Sequence, residues 1–589
     1  RPLVIVCTGR PRFDIRALAT GRATLTTLRL SDLTESDGAS ILVAFFGASA
    51  AQLPARLREV IVKRAGGNPF YLEEIVRDLI AAGVLARTRG EWLCTADAAA
   101  VDVPTSIQGI LLTRVDRLPA HARRLLQEAA VLGPAFEPRV LREVASDRAG
   151  CDATLEVLSK AGFVEEAPPR TEQGPGVERL FRFGHTLVQE VVYQNLLVRR
   201  RTELHGLAGE VLERLRGTQP SRLEDLEALG RHFSLSAHRL KGAQYLVSAG
   251  DWARGIYANE DAIRYYEQAL RTLGGCEGGQ AEELRVCERL GDLLDPAGRR
   301  DEAHAHYEKV RQAAETRGDQ ATAARLYRKL GRLHWDAGER ERALECLDAG
   351  LRLLEGVTDH IELAHLYQEM GRLAFRSGDN QKAVEWAERG LGQAERVASH
   401  AARDGEDAKE AAAAMAHALN TLGVALARLD RTEEAVGHIE RSVAVAREHG
   451  LLNVACRSYA NLGVLYAQLD PQRGIEACQT GLEAAKKIGD FGFQSRLYAN
   501  LAVAYCALTD RCDVNGIQAA QAAIDLDRRL GQVDHLAVPL IVLGQIYQCH
   551  GEPDTALAYY REALSLAEES GEPQLLFPCY DGLGTIFLD

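Results

Sequence analysis

Apolar residues change their rhythm along this chain. Residues 2–8 (PLVIVCT) form an unbroken apolar run rich in β-branched side chains and stopped by Gly9-Arg10-Pro11, the pattern of a buried parallel strand ending in a turn. A second strand is expected at 24–30. Helical spacing then predicts helices at 36–46, 53–64 and 70–82, the last entered through Gly66-Gly67-Asn68-Pro69, where proline suits a first helical turn. Residues 84–94 read as a hairpin turning at Arg89-Gly90, and helices follow at 107–118, 120–132, 139–144 and 153–161. Residues 163–167 and 180–183 can pair as strands around the Pro/Gly-rich loop 168–176, and helical patterns resume at 185–195 and 199–215.

Beyond residue 240 the pattern becomes purely helical and periodic. Twelve of the 18 prolines fall in residues 1–239, which leaves the last 350 residues free to run as long helices. Gly250, Gly291, Gly331, Gly371, Gly423, Gly463, Gly544 and Gly584 recur there, with Ala502 in the one gap, at steps of 41, 40, 40, 52, 40, 39, 42 and 40. From Leu290 onward a large apolar residue precedes each marker. An alanine follows twelve residues after six markers (Ala262, Ala303, Ala343, Ala383, Ala435, Ala556), and Tyr266, Tyr307 and Tyr560 sit four residues further on.

Glycine inside a helix costs about 1 kcal/mol relative to alanine, so its repetition needs a packing reason. Close approach of two antiparallel helices supplies one, with leucine and tyrosine filling the space beside the contact. Each hairpin then leaves an apolar face that must stack on the next, and a period near 40 becomes a solenoid. The 52-residue step holds a charged, alanine-rich insertion at 399–412, readable as a longer loop or an extended helix.

Leu543-Gly544, Ala556 and Tyr560 resemble the tetratricopeptide repeat, here about six residues longer than its usual 34. Ala460-Asn461-Leu462-Gly463 and Ala499-Asn500-Leu501-Ala502 look like the long-period repeats of kinesin light chains and of bacterial regulators of the maltose-activator type. In that family helix A of each repeat lines a concave groove, which by the glycine register would be formed by Arg328, Arg332, Trp335, Arg372, Phe375, Asn420, Asn461 and Asn500. Arginines with aromatics would suit an acidic peptide or protein surface; ordinary surface composition is the competing account.

The first 239 residues resemble a second family. Val4 to Arg10, Gly66-Gly67-Asn68-Pro69-Phe70-Tyr71, Val103-Pro104-Thr105-Ser106, Phe181-Arg182-Phe183-Gly184-His185-Thr186 and Arg199 to His205 look like the closing half of a signal-transduction ATPase with numerous domains. The resemblance implies a C-terminal remnant of an AAA-like core at 1–30, a helical lid with a hairpin at 31–100, a winged-helix-like domain at 101–194, connecting helices at 195–239 and the repeats at 240–589. The fold class expected is mostly α: a right-handed tetratricopeptide-type α-solenoid behind a small α/β remnant, lid and winged helix. It also implies a partial nucleotide site, with Arg10 sensing the terminal phosphate, Gly67 and Pro69 against the adenine and His185 at the β-phosphate of ADP. The competing accounts are a solvated turn arginine, an ordinary helix start and a satisfied core histidine.

Composition narrows the functions. With 70 Lys plus Arg against 83 Asp plus Glu the net charge is −13, so bulk attraction to nucleic acid is not expected. The run Arg199-Arg200-Arg201 reads first as a solvated helix start. No apolar stretch approaches a membrane span, so no membrane partner is expected. Twelve cysteines form no C-x-x-C pair, the usage of a reducing cytoplasm. The phosphate loop G-x-x-x-x-G-K-[ST] is absent, as are hydrolase, metalloprotease and kinase signatures, and His304 and His306 fall on different helix faces. The reading is therefore a regulatory segment of a longer protein, without a complete catalytic site or a metal of its own, binding ATP or ADP only with an upstream half. Its repeats would bind a protein or peptide, with homo-oligomerisation on activation and an output domain, a cyclase first, elsewhere. A passive interaction scaffold and a maltose-activator-like transcription regulator are the alternatives.

Overall fold

Thr34 and Asp37 start the first described helix with a reciprocal cap: the Asp37 N–H donates to Thr34 Oγ1 at 3.2 Å and the Thr34 N–H donates to Asp37 Oδ2 at 2.9 Å. The computed structural model describes residues 26–88, 91–95, 106–167, 179–357, 360–400, 406–509, 514–530, 533–570 and 573–588. The expected strand 2–8, Arg10, the turn Arg89-Gly90 and the loop 168–176 lie outside them. Two units are formed, Arg1–Gln219 with Leu235–Ala237, and Pro220–Ser234 with His238–Asp589.

In the first unit, helix α1 (Glu35–Phe46), α2 (Ala55–Ala65) and α3 (Pro69–Ala81) bury Leu42, Leu57, Ile61, Leu72 and Ile75 together. The antiparallel hairpin β1 (Leu85–Thr88) and β2 (Glu91–Cys94) follows, with Trp92 edge-on against Phe46. A second group runs α4 (Ile107–Asp116), α5 (Ala120–Leu132), β3 (Ala135–Phe136), α6 (Pro138–Val144), α7 (Cys151–Lys160), β4 (Val164–Glu166), β5 (Phe181–Phe183) and α8 (Thr186–Gln194). Its three strands pair antiparallel in the order β3-β5-β4 over a core that includes Leu126, Leu141, Leu158 and Phe163. Helix α9 (Val198–Arg216) closes the unit.

The strand expected at 24–30 is corrected over its described part: residues 26–30 belong to no strand, and Leu28 and Leu30 are exposed. An alternating sequence makes a strand only where a neighbour accepts its backbone, and none of the described residues does. Strand β3 was not anticipated, because two residues carry no periodicity to read.

The second unit is an α-solenoid. After the helix Leu223–Ser234, which falls within the connecting helices expected at 195–239, come A helices Arg239–Gly255, Gln280–Leu294, Gln320–Asp336, Ile361–Arg376, Glu406–Arg428, Leu452–Leu469, Phe491–Thr509, Val533–Cys549 and Pro573–Leu588. Between them lie B helices Asn259–Leu273, Arg300–Arg317, Arg340–Leu353, Asn380–His400, Thr432–Glu448, Pro471–Ile488, Val514–Leu530 and Pro553–Ser570. Every small marker falls in an A helix, and the insertion resolves as lengthened helices on either side, Asn380–His400 and Glu406–Arg428.

The glycines are explained by what a Cβ would strike. At Gly250 and Gly291 it would lie 2.5 Å from the ring of Tyr266 and Tyr307, and at Gly544 2.9 Å from Tyr560. Those rings are fully buried, and the hydroxyls of Tyr266 and Tyr307 return to the marker helix, donating to Asp251 at 2.6 Å and Asp292 at 2.7 Å. A second small position, missed in the sequence, sits on the B helices. Gly350 and Gly390 approach the backbone of Ala324 and Ala364, and Ser442 in the same register donates to the Ala416 carbonyl at 2.6 Å.

Candidate functional site

The partial nucleotide site expected in the first unit is built on the start of α3. Gly66 and Gly67 both have positive φ, 55° and 77°, and a Cβ on Gly67 would meet the Leu33 carbonyl at 2.7 Å. Two glycines thus let the chain fold back so that the Leu33 N–H donates to the Gly67 carbonyl at 2.9 Å. Asn68 caps α3, accepting from the Tyr71 N–H at 3.2 Å, and leaves Pro69 exposed in the first turn. A cleft of about 260 Å³ opens beside this turn, lined by Thr34, Glu35, Lys63, Gly67 and Asn68 among others.

His185 is brought to the same region. It caps α8, its Nδ1 accepting from the Leu187 N–H at 3.1 Å, and its ring stacks on Phe70 with centroids 3.6 Å apart. Gly67, Pro69 and His185 therefore belong to one neighbourhood, joined through Phe70. Arg10, the fourth residue, lies outside the described residues. Nearby, Arg114 makes a buried ion pair with Glu74, donates to the Ala161 carbonyl at 3.0 Å and lies over the Phe163 ring. This fastening of α3 to α4 and to the turn between α7 and β4 was not legible in sequence, since residues 40 apart gave no signal.

The Arg199-Arg200-Arg201 run is spent internally. Arg199 pairs with Glu203 at 3.1 Å, Arg200 lies 3.6 Å from Glu128 and from Glu203, and Arg201 covers the Tyr193 ring. The helix leading into the β4–β5 hairpin, α7, carries Asp152 and Glu156 on its exposed side. Neither feature offers phosphate an unpaired cation.

In the second unit, consecutive A helices touch each other from Gln320–Asp336 onward, whereas consecutive B helices make no comparable contact, so the A helices line the inner side. Their side chains are cross-linked from one repeat to the next. Arg289 reaches Asp251 at 2.7 Å, Arg325 and Lys329 reach Glu288 at 2.7 and 2.8 Å, Lys329 also reaches Asp292 at 2.6 Å, and Arg376 reaches Asp336 at 2.7 Å. Burial alone would raise the Glu288 carboxyl, but the charges of Lys329 and Arg325 hold it at about 2.

The expected groove residues fall within this lattice. Arg328 pairs with Glu362, Arg332 with Asp295 and Arg372 with Glu369. Glu369 is likewise held at about 2, with Arg372, Arg332 and Arg328 overcoming its burial. Trp335 is buried, with the guanidinium groups of Arg340 and Arg376 over its ring, so it is packed inside the wall, and Phe375 is half-buried against the Ala383–Val384 cluster. Asn461 donates to Asn420 Oδ1 at 3.0 Å, and Asn500 donates to the Ala460 carbonyl at 2.8 Å. Six residues before successive markers lie Arg285, Arg325, His365, His417, Arg457 and Arg496, a register that reading from the glycines could have found and did not.

Three segments, residues 322–396, 415–449 and 540–574, match the tetratricopeptide repeat. An uncharacterized protein of Rhizobium meliloti is 25% identical over 300 residues, which cover 50% of this chain and 27% of that protein, so the chain spans about a quarter of that relative's length. A signal transduction ATPase with numerous domains and a tetratricopeptide repeat sensor, from Pyrococcus horikoshii, aligns over 94% of this chain and 72% of its own at 13% identity and a TM-score of 0.44. A Rap protein complexed with competence and sporulation factor covers 64% of this chain and 94% of its own at 14% identity and a TM-score of 0.43. The quorum sensor NprR of B. thuringiensis covers 57% and 93% at 14% identity and a TM-score of 0.40. The second half of the chain is thus similar to tetratricopeptide repeat proteins, and carries that repeat in at least these three segments.

Proposed function

We propose that this chain is the regulatory and sensory segment of a multidomain signalling ATPase. The inner face of its repeats receives a protein or peptide partner, and the region around α3 and α8 takes part in a nucleotide-dependent switch that controls an output domain, a cyclase first, elsewhere in the protein. The observation that carries the partner-binding half is the lattice of charged and amide side chains joining one A helix to the next. Such side chains are held in place before any partner arrives, which lowers the ordering cost of binding. The nucleotide half is supported by the meeting of Phe70 and His185, which sets the Gly67-to-Pro69 turn beside a histidine whose Nε2 makes no hydrogen bond with the described residues. Antiparallel β3-β5-β4 pairing with α6 and α7 between the first two strands agrees with a winged helix, and the acidic exposed side of α7 argues against its reading DNA.

Isothermal titration of ADP into a longer chain that includes the upstream half tests the switch. Binding is expected, and His185→Ala should weaken it about tenfold by removing one contact to a charged group. Unchanged affinity removes His185 from the site, and absent binding removes the switch. A peptide array probed with the full chain tests the repeats: spots kept by the wild type and lost with Arg372→Ala support the groove, and spots indifferent to that change refute it.

A further inference from the structure

Arg457 stands out on the inner side of the repeats. It is half-buried, yet it makes no hydrogen bond or ion pair with any described residue. Of the charges that act on it, the one carboxylate, Glu369, is already committed to Arg372. That pair cancels, so the guanidinium of Arg457 is a surplus positive charge facing the like charges of Arg372 and Arg332. The neighbouring His417 has a buried Nδ1 that also lacks a hydrogen-bond partner.

A guanidinium offers five N–H donors and no acceptor, and withdrawing them from water without a partner is unfavourable. A closely packed lattice that pairs every other inner arginine of helices Gln320–Asp336 and Ile361–Arg376 holds this one against like charge. From this geometry we propose that Arg457, with His417 beside it, anchors a carboxylate of an acidic peptide segment lying on the inner face. The inference rests on the reading that the repeats bind a peptide, and names the chemistry of what they bind.

Charge matching selects the carboxylate. One unpaired guanidinium fits a monoanion by two parallel N–H···O bonds, whereas a phosphate dianion would meet the nearby Glu369 with charge to spare. Burial and the charge of Arg372 lower Arg457 to about 10, and burial with the charge of Arg457 lowers His417 to about 3. An incoming anion relieves both. The net charge of −13 opposes a polyanion at long range, so attraction has to be local.

The test is fluorescence anisotropy of fluorescein-labelled hexaglutamate with the full chain at low salt, with hexaglutamine as control and inorganic phosphate as competitor. Hexaglutamate should bind and hexaglutamine should not. Arg457→Gln should weaken binding at least tenfold, Arg457→Lys should be intermediate because it keeps charge without the fork, and Arg457→Gln should melt no lower than the wild type. Hexaglutamine bound as well as hexaglutamate, with Arg457→Gln neutral, overturns the carboxylate anchor and leaves peptide binding intact. Absence of both peptides overturns the anchor and the peptide-binding reading together. Displacement by phosphate at equal concentration, or a marked fall in the melting temperature of Arg457→Gln, also overturns the proposal, by showing a phosphate site or a structural arginine.

Discussion

The inner side of the repeats is held together by two chemistries in one register. From Asp251 to Arg376 cation–carboxylate pairs join one A helix to the next, whereas between Asn420 and Asn500 amide side chains do so, Asn461 to Asn420 and Asn500 to the Ala460 carbonyl. The backbone arrangement is shared, and in both stretches small markers set the helix spacing. Helix spacing and lateral cross-linking are therefore separate problems with separate residues. Within the amide stretch, on the same helix as Asn461, Arg457 is left without a counterpart, a charge carried into the part of the register that is joined by amides.

The largest effect should come from attacking what the stretches share. Gly291→Val and Gly463→Val drive a branched side chain into Tyr307 and Cys478, and each should cost about 2 to 3 kcal/mol in urea unfolding followed by circular dichroism. Equal losses in the two stretches support a common spacing rule; a loss in one alone breaks it. Next, Glu288→Gln leaves Arg325 and Lys329 facing each other without their shared anion and should cost roughly 2 to 4 kcal/mol, against about 1 kcal/mol for Asn461→Ala. Native-state hydrogen exchange on the two A helices reads that difference directly.

Acid should separate the regions as well. Folded-state His417 lies at about 3 and His365 at about 4, both pushed down by burial and then by Arg457 and Arg328 respectively, with Glu369 opposing in each case. A depressed histidine contributes stability above its unfolded value near 6.5, and that contribution fades as pH falls toward 4 and 3. Glu288 and Glu369, held at about 2, contribute above about 4.5 and fade between there and 2. Exchange protection should thus fall first around helices Ile361–Arg376 and Glu406–Arg428, then around Gln280–Leu294 and Gln320–Asp336, and last around Leu452–Leu469. Simultaneous loss would contradict the assignment. The smallest effect is expected from Arg299→Ala, whose partners Glu267 and Glu302 are solvent-facing, with a change within about 0.5 kcal/mol.

Much of the architecture was legible because its cause is local and repeated. The steps near 40 between Gly250 and Gly584 located every A helix, and the alanine and tyrosine offsets located several B helices. In the first unit, helix starts were marked by Pro69 and by residues that cap, and the hairpins by alternation around Gly and Pro. Short β3 escaped for want of length, and the helix Leu223–Ser234 was expected only as one of the connecting helices at 195–239, without bounds, because it precedes the first marker. Site residues fared differently. Arg328, Arg332 and Arg372 could be assigned to the inner side by register, but not that each is neutralised by a specific carboxylate. Nor could Trp335 be known to be enclosed by two arginines.

Periodic small residues in the chain alone determined that paired helices stack with a beat of about 40, because a missing side chain is tolerated repeatedly only where another helix fills its place. Tertiary structure alone decided which inner charges cancel, which aromatic rings are walled in, and which arginine is left over. Electrostatic pairing acts through space between residues some 40 positions apart, so its outcome depends on the small rotations between successive repeats, and the spacing of residues along the chain does not encode them.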